Sequence, residues 1–303
     1  MFNRKNCKKA ALESLKGRWK TPVLVNLFYL ALILIIMLPY FCLVLAPIAN
    51  LSDTNSVMFD GNVDSALFYV AAILIFALLA MVFVICIYPP LIMGYKKIPV
   101  LLCNTTEKIN FKEIFSGFKM YGKSMGVYWW NYLWIFLWML VFYVPMIILT
   151  AISTSMLILS NSADVNFALM GSMAVVAILQ VAVIIGLYVV IINRTLAYSM
   201  MWYIVCDDNK VGAIDSMNIS KAITKKHLWS LFVLNLSFIG WFLLCLLTLG
   251  IGFLWLLPYV ETTNYEAYKV LRDEYYAKES NKEPKQLVNK IEPKDETSEE
   301  SKE

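Results

Sequence analysis

The sequence predicts an all-α, polytopic membrane protein with six transmembrane helices and interfacial amphipathic helices at their entries. Three observations lead there. Apolar types make up 60% of the chain and charged types 16%, against roughly 45–50% and about 25% in a soluble domain. The apolar residues come in blocks, several long enough to cross about 30 Å of hydrocarbon, which takes around 20 residues at 1.5 Å each. All 26 Lys and Arg fall in four segments, 4–20, 96–123, 194–226 and 269–302, that alternate with pairs of those blocks.

The blocks read in order are 22–49, 66–93, 127–152 and 167–192, none with a charged side chain. The next apolar stretch, 228–259, is longer than one span needs and contains Gly250 and Gly252 around Ile251. It is read as a tight hairpin of two helices. One long tilted helix would instead give five spans and place the C-terminal cations outside, against the bias that keeps Lys and Arg cytoplasmic. On the six-span reading the outer loops carry only acids, Asp53, Asp60 and Asp64 in the first and Asp164 in the second, with a third loop of a few residues around Gly250. The expected location is the bacterial cell (inner) membrane, multi-pass, with both N- and C-termini cytoplasmic. The first block exceeds the roughly 7–15 apolar residues of a secretory signal and reads as an anchor. The expected organisation is a basic amphipathic segment at 1–21, a membrane domain at 22–275, and a disordered cytoplasmic tail at 276–303, where Lys, Glu, Ser and Pro dominate.

Each pair of spans follows a cationic entry and then an asparagine: Lys16 and Asn26, Lys123 and Asn131, Lys226 and Asn235. Trp19, Trp129, Trp130 and Trp229 sit beside them. Two readings stand side by side: a threefold helix-hairpin repeat, or the aromatic and basic belts found at any membrane entry. In the second entry segment Phe111, Ile114, Phe115 and Phe118 follow helical spacing. At 100° per residue Lys108, Lys112, Lys119 and Lys123 fall within an arc of about 60° beside that face. Such a helix would lie flat at the interface, and these lysines are the candidate lipid-headgroup contacts. The first segment repeats the pattern with Leu12, Leu15 and Trp19 against Lys8, Lys9, Lys16 and Lys20; the third, with Ile214, Ile219 and Ile223, is weaker.

The spans hold no Asp, Glu, Lys, Arg or His, which disfavours proton-coupled transport. Breaks at Pro39, Pro47, Pro89, Pro90, Pro145 or Pro258 would still leave room for Na⁺ coupling through freed carbonyls. Asn26, Asn131 and Asn235, with Arg194 and Glu261 at its rim, are the candidates for a polar cavity open to the cytoplasm. The plainer account of each asparagine is interhelical glue worth about 0.6 kcal/mol. His227, the one histidine, has no companion ligands nearby in sequence. No phosphate loop, zinc-helix pair or serine elbow is present, and no Cys-x-x-Cys pair. No catalytic, cofactor-binding or metal-binding residue is therefore expected, nor any nucleic-acid partner, and the chain is read as a non-enzyme.

The C-terminal third carries a resemblance. Residues 194–198 (RTLAY), Ala213, Lys221-Ala222, 235–241 (NLSFIGW), 247–253 (LTLGIGF), 255–259 (WLLPY) and Thr262 resemble a bacterial integral membrane family catalogued as domain of unknown function 975. Residues 11–17 (ALESLKG) and Trp19 resemble the same family's opening. The family is similar in outline to the membrane domain that accompanies some bacterial glycerophosphodiester phosphodiesterases, but the soluble catalytic domain and its metal-binding His and Glu are missing here. The resemblance implies a fold class and carries no activity over. The leading expectation is a non-enzymatic module that binds lipid or a membrane-protein partner; the basic entry segments read either as plain entry anchors or, more sharply, as an anionic-lipid site. The alternative is a small transporter or a peptide-export or immunity factor.

Overall fold

The computed structural model describes residues 2–50, 63–162, 167–208 and 210–280. Among them every regular element is helical. A short helix α1 (Arg4–Leu15) leads into α2 (Lys20–Asn50). Then α3 (Val63–Val82) runs through a π-turn (Phe83–Ile87) into α4 (Tyr88–Asn104). A 3₁₀ turn (Phe111–Phe115) and α5 (Ser116–Lys119) precede α6 (Tyr121–Ser162), which returns as α7 (Phe167–Tyr198) and α8 (Met201–Asp207). The third set is α9 (Ala213–Thr224), the outgoing pair α10 (Leu228–Leu236) and α11 (Ile239–Leu247), and α12 (Phe253–Ser280). The order is short element, outgoing helix, returning helix, three times over, which is compatible with the hairpin repeat.

Among the described residues five stretches are long and apolar enough to cross a membrane: Lys20–Pro39, Val70–Asn104, Tyr121–Ile158, Met170–Asp207 and Leu228–Leu247. The first two pair as the hairpin α2/α3 and the next two as α6/α7. Large apolar side chains along both hairpins, Ile35, Phe68, Tyr143 and Ile178 among them, point away from the protein. Exposed apolar surface on this scale asks for lipid rather than water. The returning helix of the last hairpin, α12, is not among the five. Of the loop and tail calls, Asp53, Asp60, Asp164 and residues 281–303 lie outside the described residues.

The protein's own core sits at one end, the base, where the chain enters and leaves the hairpins. Cys7 of α1, Met200, Tyr203 and Ile204 around α8, Leu231 and Leu234 of α10, and Tyr265, Tyr268 and Leu271 of α12 form one cluster. α1 lies along α12. Its buried face is Cys7, Ala11 and Leu15, spaced i, i+4, i+8, while Leu12 is exposed. The apolar face expected from Leu12, Leu15 and Trp19 is thus rotated by about one residue, because α1 docks on α12. In α9 likewise Met217 and Ile223 are buried and Ile214 is exposed.

The flat second amphipathic helix is corrected. Residues 105–110 are irregular, 111–115 form a 3₁₀ turn capped by Asn110, and Met120 (φ −117°, ψ 40°) separates α5 from α6. The cause is a backbone crossing. A Cβ on Gly117 would sit 1.9 Å from the Pro90 carbonyl oxygen, and one on Gly94 would sit 1.8 Å from that of Ile114. The segment is pressed against α4, with Ile114 fully buried and Phe111 and Phe115 edge-on to Phe28 of α2.

The proline-broken spans are corrected too. α2 runs through Pro39 and Pro47, α6 through Pro145 and α12 through Pro258. Only Pro89 and Pro90 adjoin an irregularity, the π-turn. Proline removes an N–H, so the carbonyl four residues earlier loses its partner. Inside a membrane protein a neighbouring helix can supply the missing donor. Here the Tyr121 hydroxyl donates to the Cys86 carbonyl below Pro90 at 3.2 Å, and the Asn26 amide donates to the Leu254 carbonyl below Pro258 at 3.3 Å.

Candidate functional site

At the base, α4, α6, the α7–α8 corner and α12 enclose a polar cavity of about 180 Å³. Lys96, Asn131, Ser199, Tyr203 and Asn264 line it, with Trp202 as one wall. The Lys96 side chain on α4 is only 18% exposed, and a charge so placed needs a partner. Glu261 of α12 supplies one, with its carboxylate oxygens 2.8 and 2.7 Å from Nζ. The Tyr203 hydroxyl donates to the same carboxylate at 2.8 Å. Three elements are tied together by one acid. Two of the three ammonium hydrogens go to Glu261, and the buried Asn131 Oδ1 has no hydrogen-bond partner. The cavity can therefore accommodate a small neutral polar solute or a few waters, since its own ion pair already balances charge.

A second network closes the base. Tyr265 donates to Asp207 Oδ1 at 2.9 Å and accepts from Asn104 at 2.8 Å, while Arg272 reaches Asp207 Oδ2 at 2.9 Å. An acid at the last position of α8 faces the negative end of its own helix, and Arg272 offsets that. Arg18 caps α4, donating to the carbonyls of Thr105 and, at 2.7 Å, Leu102. Lys8 does the same where α10 breaks from α11, 3.4 Å from the Ser237 carbonyl and 4.0 Å above the Phe238 ring. Burial there lowers the Lys8 pKa. The Cys7 thiol beside it is pushed up by burial and then by the Glu266 carboxylate.

The five cavity candidates part company. Asn131 lines the cavity and Glu261 holds the lysine that lines it. Asn26 is buried and committed to Leu254 on α12. Asn235 bonds back to the Leu231 carbonyl of its own helix at 2.9 Å. Arg194 stacks on Trp138, 4.4 Å from the ring. Next to it Lys221 lies over Trp134 and Tyr198, its pKa lowered by burial and then by Arg194.

Of the lipid candidates Lys108, Lys112 and Lys119 are exposed, on three different local structures. Lys123 belongs to the first turn of α6 and is half-buried. Lys97 and Glu113 pair at 3.2 Å beside them. Sequence reading missed Lys96, Tyr203, Asp207 and Arg272. The one available signal was that Lys96 and Lys97 come only a few residues after apolar block 66–93.

The model of the family described as protein of unknown function, DUF975, matches residues 1–274. The chain belongs to the DUF975 family. The match takes in α1 and most of α12, the two helices that pack along each other at the base. No curated protein and no solved structure matches the chain.

Proposed function

We propose that this DUF975 protein is a non-enzymatic module of the bacterial inner membrane that keeps both termini in the cytoplasm and binds anionic lipid headgroups at its base. One observation carries the reading. Exposed Lys108, Lys112 and Lys119 stand beside the half-exposed rings of Phe115 and Phe118, at the end of the molecule from which the hairpins rise. Rings for the acyl boundary next to ammonium groups for phosphates are the pairing an interfacial site needs.

The test is native mass spectrometry of the protein from nanodiscs of equal anionic and zwitterionic lipid. Anionic lipid should be retained preferentially. Replacing Lys108, Lys112 and Lys119 by Gln should remove about 1 kcal/mol each, so the triple variant should bind on the order of 100-fold more weakly. Equal retention of both lipids would end the lipid reading, and a retained protein subunit would make the base a docking face for a membrane-protein partner. The cavity, with its unpartnered Asn131 oxygen, is the observation that favours the second reading, a small transporter or peptide-export or immunity factor.

A further inference from the structure

The last hairpin is too shallow to match the other two. Asn26 on α2 is opposite Leu254 on α12, and Pro22 and Val25 share a pocket wall with Pro258 and Thr262, so the two helices run antiparallel in a fixed register. Gly250, at the turn, lies four residues beyond Leu254, about 6 Å at 1.5 Å per residue. Asn26 is itself four residues past Pro22, where the apolar run begins, so the turn reaches a depth of about 12 Å in a hydrocarbon core of about 30 Å.

The outgoing path is as short: Phe238, between α10 and α11, packs edge-on against Tyr259 of α12 with ring centroids 5.2 Å apart, and from there to Leu249 even a straight helix climbs only about 16 Å. The returning helix agrees: α12 is apolar only from Phe253 to Val260 before Glu261 enters its ion pair with Lys96.

The turn itself is built for hydrocarbon. Lipid offers no hydrogen-bond partner, so irregular backbone there must satisfy itself. The N–H groups of Thr248, Leu249, Gly250, Ile251, Gly252 and Phe253 all find acceptors within the hairpin, that of Gly252 on the Thr248 hydroxyl at 3.1 Å. Its outward side chains are apolar: Leu249 is 94% exposed and Leu247 80%. Leu249 also holds φ 52°, a left-handed conformation that a Leu at a water-facing turn would cede to Gly or Asn. Trp241 and Trp255 stand, half-exposed, between the turn and the base, where interfacial indoles belong.

We propose that the turn between α11 and α12 is a lipid-binding wedge that enters only the leaflet on the base side, its partner the acyl chains of that leaflet. The last hairpin is then re-entrant, and four helices cross. Both termini stay on the base side, as an even number of crossings requires. The proposal rests on the hairpins α2/α3 and α6/α7 spanning the membrane; it does not depend on headgroup preference.

The experiment is Leu249→Cys in the full-length protein in sealed proteoliposomes, with the native cysteines left in place and labelling read at residue 249 by mass spectrometry. A membrane-impermeant maleimide is supplied to one face at a time, and a C-terminal tag reports which face carries the terminus. The expected result is no labelling at residue 249 from either face and complete labelling once detergent dissolves the vesicles. Labelling from the face opposite the C-terminus would show a hairpin that crosses. Labelling from the C-terminal face would show one lying outside the bilayer, and either result overturns the wedge. Ile251→Cys repeats the measurement at a second exposed position should the first variant fail to fold.

Discussion

Asn26 and Asn235 are the same residue type at similar sequence distances from a basic entry, and the structure gives them unlike work. Asn26 replaces, across a helix interface, the hydrogen bond that Pro258 cannot make; Asn235 adds a bond within a helix that already has its own. Asn26→Leu should therefore leave the Leu254 carbonyl without a partner and lower stability by about 1 kcal/mol, within the range for a buried unsatisfied acceptor. Asn235→Leu should change stability by less than about 0.5 kcal/mol. Thermal unfolding in detergent checks both; equal losses would mean that the two asparagines share a role after all. The sequence held the proline and the asparagine in plain view. What it could not show was that residues 26 and 254 meet, because that depends on the antiparallel register of two helices far apart in the chain. The same holds for Lys96 and Glu261, each of which looks like an ordinary charge at the end of an apolar block until they are placed 2.7 Å apart.

At the scale of elements, the long helices were legible because apolar block length is a direct physical requirement of a bilayer. Blocks 22–49 and 127–152 fall within α2 and α6, and the hairpin turn formed where Gly250, at φ +87°, allows it. The short elements were not legible in the same way. Periodicity in 111–118 reports an apolar face without saying what it meets: Ile114 and Gly117 are pressed against the backbone of α4, while Phe115 and Phe118 stay half-exposed. That crossing makes a paired prediction. Gly117→Ala would drive a Cβ into the Pro90 carbonyl and should cost about 1–3 kcal/mol or more as overpacking. Gly122→Ala, close by in α6 with nothing within 4 Å, should be neutral or stabilise by up to about 1 kcal/mol. The comparison is again by thermal melt. A harmless Gly117→Ala would mean that the segment is not held against α4.

For the whole molecule, the distribution of burial explains why the fold was readable and the site was not. The hairpins meet lipid with residues chosen for apolarity alone, and composition predicts that. The base is assembled from segments that look separate along the chain, α1, α8, α9 and the later part of α12, and its specificity lies in pairs such as Asp207 with Arg272 that no local pattern announces. Because every cation gathers around that base or follows it in sequence, the central claim is that all of these segments share one side of the membrane. Reporter fusions after Lys210 and at the C-terminus test it most directly, using a periplasmic and a cytoplasmic reporter at each site in living cells. Both positions should give cytoplasmic signal only. A periplasmic signal at either would separate α9 or α12 from the rest of the base and contradict the account.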